Sequence, residues 1–479
     1  MPSPTIEPHA AQIGETNGFA GLARQAELIA AGEATSRAVV DEALGAIERT
    51  QPTLNAFRVV RADAARTEAD EADRRLAAGE RLPLLGVPVA IKDDMDIAGE
   101  STSFGCEGEF PVAERDGWVA ERLRAAGAIV VGKTNTPEIG QWSVTAGPAF
   151  GVTRNPWNLE HSPGGSSGGS ASAVAAGIVA GAAGSDGAGS VRIPAGWTNL
   201  VGIKPQRGRV SSWPDPEAFN GITVIGPLAR TVGDAALMLD VLSGNHPDDL
   251  HKVPPPAEPF AASAQRDPGK LRIAVNYKIP FSGVPTRLDP AVRAQIDRTA
   301  DVLAGLGHEV AEVRLNYALV GLGFLPRSLA GVRDWARRAP DPSRLDPRTK
   351  HNVRNGDLVA PLLPFAREFE GVSRRAIGKV FREFDVVLMP TTAEPPFGAD
   401  AINGLSDWET DKVIVGACPY AWAWNITGWP GVNVPAGFTA EGLPVGAQLL
   451  GQANSEPKLI ALAAQLEDRE RWHERRPNL

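Results

Sequence analysis

A chain of 479 residues, of which 43% are hydrophobic and 22% charged, has the composition of a folded globular protein, which excludes disordered and fibrous classes. The formal net charge of −9, with no long Lys/Arg run, argues against a nucleic-acid partner. The two cysteines, Cys106 and Cys418, stand in unrelated contexts, so neither a disulfide framework nor a metal cluster is expected.

Targeting signals are not visible in the sequence. Residues Met1 to Gly14 lack a basic start followed by an apolar run, which argues against a secretory signal. No apolar stretch approaches the ~20 residues that a membrane-spanning helix needs. We therefore expect a cytoplasmic protein with no membrane partner.

In chain order, residues 1–80 are predicted to form a helical segment. Helix-like apolar spacing runs through 20–31, 37–49 and 63–78, and Thr35–Ser36 provides a candidate cap for the second helix. The next predicted elements are a strand at 85–91 that ends at Lys92, a helix at 114–126 and a strand at 128–131.

The middle of the chain, residues 163–202, is crowded with Gly, Ser and Ala and carries little charge. A flexible linker can have this composition. Apolar residues such as Val174 and Ile178 interrupt it, however, which favours close backbone packing and tight turns. We predict a helix at 170–176 and a strand at 178–183.

Strands and helices continue to alternate towards the carboxyl terminus. The predicted strands are 271–276, 308–313, 385–389 and 443–450, and the predicted helices are 290–306 and 458–466. This order predicts an α/β fold with a mixed, largely parallel central sheet covered by helices on both faces.

We expect a single domain, 1–479, with its core in residues 80–314 and 371–479. Residues 315–370 are interrupted by prolines and are interpreted as an irregular insert or cap over a core that resumes at 372–384. Leu319–Leu325 and Trp335 of this segment are expected to contribute to the substrate entrance.

The glycine-serine loop around Ser166 has two simple interpretations that fit poorly. It lacks the Lys-Ser/Thr pair of a phosphate-binding loop. It formally matches Gly-x-Ser-x-Gly, the nucleophile elbow, which needs a strand immediately before it. The preceding residues, 154–163, contain two prolines and do not form a strand pattern, and the later histidines belong to no supporting motif.

Three blocks taken together are more specific, and they resemble the amidase signature family. They are Gly-Val-Pro-Val-Ala-Ile-Lys-Asp at 86–93, Pro-Gly-Gly-Ser-Ser-Gly-Gly-Ser at 163–170 and Asp-Gly-Ala-Gly-Ser-Val-Arg-Ile-Pro-Ala at 186–195. The resemblance continues at 202–205, 226–234, 385–391, 425–430 and 442–448, and covers most of the chain from about residue 20. It implies the amidase signature fold and a serine hydrolase that cleaves a C–N bond.

The resemblance implies a Ser–cis-Ser–Lys triad in this chain. Ser190 matches the nucleophile, Ser166 the bridging serine with a cis peptide bond, and Lys92 the general base. A serine hydroxyl is a weak nucleophile that needs a partner to accept its proton. A lysine can accept it only as a neutral amine, the form that burial favours. No cofactor and no metal are needed for this chemistry.

The turn before Ser190 is the predicted oxyanion hole, formed by Gly187, Ala188, Gly189 and Ser190. The family usually has two glycines before the nucleophile, so Ala188 is a departure, which costs nothing unless a positive φ is required there. Ser167, Asp186 and Arg192 match positions that support the site by hydrogen bonding.

The chain has eleven tryptophans, and a cluster of them beside the site would suit an aryl or bulky apolar substrate. Trp142, Gln141 and Trp424 are the predicted pocket residues. The substrate is expected to be an aryl amide or an aryl carbamate, as for an aryl acylamidase or a urethanase, with ester hydrolysis as a side activity.

Two other functions are considered. One is the amidase subunit of a tRNA-dependent amidotransferase, although Trp213-Pro214 follows Ser212 where that subunit has a tyrosine-rich segment. The other is a non-catalytic binding protein on the same fold, which the presence of all three triad residues disfavours. A homodimer is a further expectation from the family.

Overall fold

The computed structural model describes residues 18–479. The prediction about a secretory signal at Met1 to Gly14 therefore lies outside the described residues, as does the start of the predicted helical segment. Within the described residues, a large central sheet lies between layers of helices, and no helix there is long and apolar enough to cross a membrane.

The strands of the described residues are β1 (Phe57–Val60), β2 (Pro88–Lys92), β3 (Ile129–Thr134), β4 (Ala146–Gly147), β5 (Gly151–Val152), β6 (Gly181–Asp186), β7 (Val201–Lys204), β8 (Val224–Ala229), β9 (Arg272–Val275), β10 (Glu309–Glu312), β11 (Val386–Pro390), β12 (Gly431–Phe438) and β13 (Pro444–Leu450). All but β4 and β5, which pair with each other, form one sheet in the order β1-β3-β2-β6-β8-β7-β12-β13-β11-β9-β10.

The predicted mixed sheet is confirmed. Its parallel pairings form two groups, β3-β2-β6 and β11-β9-β10. The strands between these groups, from β6 through β8, β7, β12 and β13 to β11, pair antiparallel. The carboxyl ends of the parallel strands β2 and β6 lie at the same edge of the sheet, which brings Lys92 and Asp186 to that edge.

The helices are α1 (Leu22–Ala30), α2 (Ser36–Leu54), α3 (Ala62–Ala77), α4 (Trp118–Ala125), α5 (Gly168–Ala175), α6 (Arg192–Trp197), α7 (Val232–Leu242), α8 (Phe260–Ser263), α9 (Pro290–Gly305), α10 (Val320–Ala336), α11 (Pro347–Val359), α12 (Leu363–Ile377), α13 (Asp407–Ala417), α14 (Ala423–Thr427) and α15 (Glu456–Glu470). The predicted cap of α2 is confirmed, because the Thr35 side chain accepts a 3.1 Å hydrogen bond from the Ala38 N–H.

Helices cover both faces of the sheet, as predicted. Val89 and Ile91 of β2 pack into a core cluster with α4, α7 and α15, whereas Ala90 between them packs into a second cluster with α2, α3 and α5. This alternation is the side-chain period of a strand that is buried on both faces.

The segment 315–370 is regular, contrary to the prediction. It contains α10, α11 and the start of α12, and the last of these runs across the predicted boundary at residue 370. Pro347 and Pro364 occupy the first turns of α11 and α12, where a missing N–H costs no hydrogen bond, whereas Pro340, Pro342 and Pro361 lie in the connections between the helices.

Candidate active site

Lys92 is the last residue of β2 and is only 1% exposed. Its Nζ donates hydrogen bonds to Ser166 Oγ at 2.8 Å and to Ser185 Oγ at 2.7 Å, and it lies 3.0 Å from the Oδ2 atom of Asp94. A lysine buried in this way is held by side chains from the loop before α5, from β6 and from the residues after β2. The strand therefore delivers the amine to a defined position next to two hydroxyl groups.

Ser166 lies in the glycine-serine loop that leads into α5, and the Gly165–Ser166 peptide bond is cis, as the family resemblance implied. This loop is closely packed. A Cβ atom on Gly165 would lie 2.6 Å from the backbone N of Val144 and 2.7 Å from the carbonyl oxygen of Trp142. The prediction that small residues mark close backbone packing here, and not a flexible linker, is confirmed.

Ser190 lies in the turn between β6 and α6 and is partly exposed. It lines a cleft together with Lys92 and Ser166, so the three predicted catalytic residues face one space. The apolar lining of this cleft consists mainly of Ile139, Phe219, Ile222, Phe324 and Trp335. The predicted catalytic hydroxyls and amine thus share the cleft with several apolar and aromatic side chains.

The turn before Ser190 has one residue in the left-handed region, Gly189, with a φ of 117°. Ala188 is not in that region, so the replacement of the usual glycine by alanine causes no backbone strain. The N–H of Gly189 donates to Asp186 Oδ1 at 2.8 Å. The prediction that Gly189 contributes an N–H to the oxyanion hole is therefore wrong, since that N–H is already used. Gly187, Ala188 and Ser190 remain candidates.

The elbow interpretation fails on the local backbone. β5 ends at Val152, and the residues between it and Ser166 contain isolated bridges but no strand. Both cysteines are buried, and burial raises the pKa of each thiol to about 12, which makes neither a nucleophile. Among residues 18–479, no group of three or more His, Cys, Asp or Glu side chains could hold a metal ion.

Comparisons with known proteins decide the family. The Amidase family model matches residues 38–460.

This chain belongs to the amidase signature family.

"Putative amidase AmiA2" of Mycobacterium tuberculosis (strain ATCC 25618 / H37Rv) is 52% identical over 448 residues, which cover 93% of this chain and 92% of that protein. The solved structure of 6-aminohexanoate cyclic dimer hydrolase superposes with a TM-score of 0.88 at 28% identity, covering 96% of this chain and 99% of that one. A bacterial aryl acylamidase superposes with a TM-score of 0.84 at 27% identity, covering 95% and 97%. One subunit of the glutamyl-tRNA(Gln) amidotransferase of Roseiflexus castenholzii (strain DSM 13941 / HLO8) is 36% identical, covering 96% and 97%.

As a member of the amidase signature family, the chain is a hydrolase that acts on amides. Its predicted supporting residues surround the triad. Asp186 and Arg192 form a 2.9 Å ion pair in which both side chains are fully buried. Burial raises the pKa of Asp186, but the Arg192 guanidinium, with smaller contributions from Lys204 and Asn425, outweighs it and holds that pKa well below its usual range.

Arg192 connects Asp186 to residues of two other elements, α14 and β13. Its guanidinium also donates to Asn425 Oδ1 at 2.7 Å and to Gln448 Oε1 at 2.9 Å. Asp186 in turn accepts the N–H groups of Gly189 and Val191. The turn around Ser190, the predicted nucleophile, is therefore fixed by a buried carboxylate that α14 and β13 help to hold through Arg192.

Ser167 connects the two serine segments. Its backbone N–H donates to the carbonyl oxygen of Ser190 at 3.1 Å, and its hydroxyl donates to the carbonyl oxygen of Ser185 at 3.2 Å. These bonds hold the loop carrying Ser166 against β6 and the nucleophile turn, which is the positioning that the family resemblance implied for Ser167.

Of the three predicted pocket residues, Gln141 lines the cleft and the two tryptophans do not. Trp142 packs into a small core cluster under Arg348, and Trp424 is fully buried with its N–H donating to Gly451. Both tryptophans are close to site residues along the chain, but their side chains pack in the protein interior. The aromatic wall instead comes from Phe219, which the sequence analysis missed, and from Phe324 and Trp335 of α10.

Proposed function

We propose that this enzyme hydrolyses the C–N bond of an amide or carbamate through an acyl-enzyme on Ser190, with Ser166 and Lys92 as its proton relay. The observation that carries this proposal is the 2.8 Å hydrogen bond from Lys92 Nζ to Ser166 Oγ in the cleft that Ser190 lines. No histidine is needed in this arrangement, because the buried amine supplies the base.

In the acylation step, the Ser190 hydroxyl proton passes to Ser166, whose own proton passes to Lys92 in its neutral form. Ser190 Oγ then attacks the carbonyl carbon, and the carbonyl electrons move to oxygen. Backbone N–H groups of the turn 187–190, other than that of Gly189, stabilise this oxyanion. On collapse, the C–N bond breaks and the relay returns the proton to the departing nitrogen, which leaves as an amine.

Deacylation reverses the use of the relay. A water molecule gives a proton to Ser166, whose own proton passes to Lys92, and the water oxygen attacks the acyl carbon. Ser190 Oγ regains a proton from this relay as it departs. The same three side chains therefore serve as base and acid in turn. An ester passes through the same acyl-enzyme with an easier leaving group, so we propose ester hydrolysis as a side activity.

The substrate we propose is an aryl or bulky apolar amide or carbamate, as for an aryl acylamidase or a urethanase. Phe219, Phe324 and Trp335 supply flat apolar surface beside the relay. The similarity to an aryl acylamidase and to 6-aminohexanoate cyclic dimer hydrolase supports linear and cyclic amides as the general class.

The test of the substrate class is a comparison of kcat/KM for 4-nitroacetanilide, methyl N-(4-nitrophenyl)carbamate and propionamide. Preference for either nitroaryl substrate supports the proposal, and their ratio separates amidase from urethanase specificity. Fast cleavage of propionamide with neither nitroaryl compound turned over would refute the aryl assignment.

The two alternatives have weaker support. The amidotransferase subunit is 36% identical to this chain, against 52% for the AmiA2 protein. Hydrolysis of an anilide by the isolated chain would argue against a role that needs partner subunits. A non-catalytic binding protein would fail to be labelled at Ser190 by a fluorophosphonate, whereas the proposed enzyme is labelled there and its Ser190→Ala variant is not.

Three broader features are proposed on family resemblance and on the lining of the cleft. The helices within 315–370 act as a cap at the substrate entrance, since Phe324 and Trp335 reach the cleft from α10. The enzyme works in the cytoplasm, and two copies form a homodimer. Light scattering of the purified chain at micromolar concentration tests the dimer, which a monomeric mass would exclude.

A further inference from the structure

Asp94 lies two residues beyond Lys92 and contacts the relay through one of its carboxylate oxygens. Its Oδ2 atom is 3.0 Å from Lys92 Nζ and accepts a 2.6 Å hydrogen bond from Ser185 Oγ. Ser185 in turn accepts a hydrogen bond from Lys92. One carboxylate oxygen is thus occupied by two donors, the amine and the serine hydroxyl.

The other oxygen of Asp94 is unused. Oδ1 is buried and has no hydrogen-bond partner within residues 18–479, and the whole side chain is only 7% exposed. A buried carboxylate oxygen without a donor is costly, and buried polar groups in folded proteins nearly always have a hydrogen-bond partner, so an orphaned one calls for an explanation such as a catalytic or ligand-binding role. Here the orphaned atom belongs to a residue that lines the catalytic cleft.

Asp94 also lines a second compartment next to the cleft. The two spaces are adjacent and share Asp94, Ser185, Thr223 and Trp335 among their lining residues. The rest of the second compartment is lined by aromatic side chains, which include Phe104 and Trp213, and by three charged side chains, Asp96, Asp215 and Arg338. An apolar group attached to an atom beside Asp94 would therefore find aromatic surface.

Asp94 lies close to the relay residue that handles the proton of the departing nitrogen. In the proposed mechanism that nitrogen receives its proton from Ser166. Ser166 Oγ and Asp94 Oδ2 lie 2.8 Å and 3.0 Å from the same Lys92 Nζ. Because both oxygens contact one amine, Asp94 is a neighbour of the serine that protonates the leaving group.

We propose that Asp94 is a specificity-determining residue whose Oδ1 atom accepts a hydrogen bond from the N–H of the departing nitrogen, while the second compartment holds the substituent on that nitrogen. This inference rests on the proposed acyl-enzyme mechanism and adds a recognition element to it. It assigns the enzyme to substrates that release a primary amine bearing an apolar or aryl group.

The proposal separates three leaving groups by chemistry alone. An amide N–H and its amine product donate to a carboxylate, whereas an N-methylated nitrogen and an ester oxygen cannot. A site with a buried hydrogen-bond acceptor discriminates against substrate analogues that lack the matching donor, because the acceptor is then left unpaired. The suitable probes are 4-nitroacetanilide, N-methyl-4-nitroacetanilide and 4-nitrophenyl acetate.

Asp94→Asn is the informative variant because asparagine keeps the shape of the aspartate side chain but replaces one hydrogen-bond acceptor with a donor. Lys92 and Ser185 both present donors to the Oδ2 position, so the side-chain oxygen of the new asparagine will occupy it and the amide NH₂ will take the place of Oδ1. An acceptor for the substrate N–H becomes a competing donor. Asp240→Asn is the control, since Asp240 lines neither space and its two carboxylate oxygens accept from the N–H groups of Phe260 and Ala261.

The experiment measures kcat/KM for the three substrates in wild type, Asp94→Asn and Asp240→Asn. Asp94→Asn should reduce activity on 4-nitroacetanilide at least about tenfold more than on the N-methyl amide and the ester, the size expected for a hydrogen bond to a charged group. Asp240→Asn should leave the ratios of the three substrates within about twofold, because Asp240 lines neither space. An equal loss on all three substrates in Asp94→Asn would mean that Asp94 acts only through Lys92 and would overturn the proposal.

A second measurement does not depend on a variant that folds. In wild type, 4-nitroaniline should inhibit ester hydrolysis at least about tenfold more strongly than N,N-dimethyl-4-nitroaniline, which has no N–H. Equal inhibition by the two amines would contradict the proposal. Failure of the acyl-enzyme mechanism itself is distinguishable, because a Ser190→Ala variant would then still hydrolyse the ester.

Discussion

The backbone N–H of Gly189 donates a 2.8 Å hydrogen bond to Oδ1 of Asp186, and this bond helps to fix the turn before Ser190. Asp186 is itself held by Arg192 in a fully buried ion pair. The geometry of the proposed oxyanion hole therefore depends on a charge pair that does not line the cleft. Substitutions in the turn and in the ion pair test this dependence.

Substitution of Gly189 should impair the enzyme, whereas substitution of its neighbour Ala188 should have little effect. Gly189→Ala should lower kcat by about two orders of magnitude or more and cost about 1–3 kcal/mol of unfolding free energy, because its φ is 117° and its new Cβ would lie 2.6 Å from Ala421 Cβ. Ala188→Gly, in an ordinary backbone conformation, should keep kcat within a few-fold. Steady-state kinetics and urea unfolding measure both; similar behaviour of the two variants would contradict the assignment.

Removing the carboxylate of Asp186 should destabilise the protein strongly. Asp186→Ala leaves the Arg192 guanidinium buried without its counter-charge, so we expect a loss of about 3–5 kcal/mol in unfolding free energy. Glu27→Gln is the control, since the exposed Arg24–Glu27 pair should contribute less than about 1 kcal/mol. Urea titrations at pH 7 give both values, and a loss of similar size in the two variants would refute this account of the turn.

Lys204 predicts a specific pH dependence of stability. It is fully buried at the end of β7, and burial, with Arg192 nearby, lowers its pKa to about 7. A lysine in the unfolded chain has a pKa of about 10.4. Between about pH 7 and 10 the unfolded chain therefore binds more protons than the folded chain, and the free energy of unfolding rises with pH.

Lys204→Met should remove this contribution. Unfolding titrations from pH 7 to 9.5 should show wild type gaining stability relative to the variant, by up to about 1.4 kcal/mol per pH unit. The difference should stop changing below pH 7, where Lys204 is protonated in both folded and unfolded chains. Parallel stability curves for the two proteins across the whole range would contradict the burial of an easily deprotonated amine.

Thiol reagents should leave the native enzyme active. Burial raises the pKa of both Cys106 and Cys418 to about 12, so neither thiol ionises appreciably near neutral pH. Mass spectrometry after iodoacetamide treatment should find no added mass in native protein and two additions after denaturation. Loss of activity that parallels a single native alkylation would implicate a cysteine in the site.

Most of the helix–strand alternation could be predicted from the sequence, whereas the antiparallel centre of the sheet could not. Its strands contain residues that disfavour strand formation, such as Pro227 in β8 and Pro435 in β12. Their pairing depends on partners far along the chain. Ala182 of β6, for example, pairs with Leu228 of β8, which lies beyond α6 and β7 in the sequence.

Within the site, the sequence predicted which hydroxyls and amine meet in the cleft better than it predicted the pocket lining. Lys92, Ser166 and Ser190 belong to blocks with a distinctive spacing, but a tryptophan is equally compatible with a core and with a binding surface. Trp335, which the sequence analysis placed at the substrate entrance, lines the cleft, but only the tertiary structure shows that Trp424 is buried and that Phe219 faces the cleft. The commitment of the Gly189 N–H to Asp186 is likewise a property of the folded turn.

The most direct test of the mechanism is the release of 4-nitroaniline from 4-nitroacetanilide by wild type, Ser190→Ala and Lys92→Ala, with folding checked by circular dichroism. If Lys92 is the base that acts through Ser166 on Ser190, both variants lose at least about a thousandfold in kcat/KM, as expected for residues that act as one unit. If Lys92→Ala keeps near wild-type activity while Ser190→Ala is inactive, the base lies elsewhere and the proposed relay is wrong.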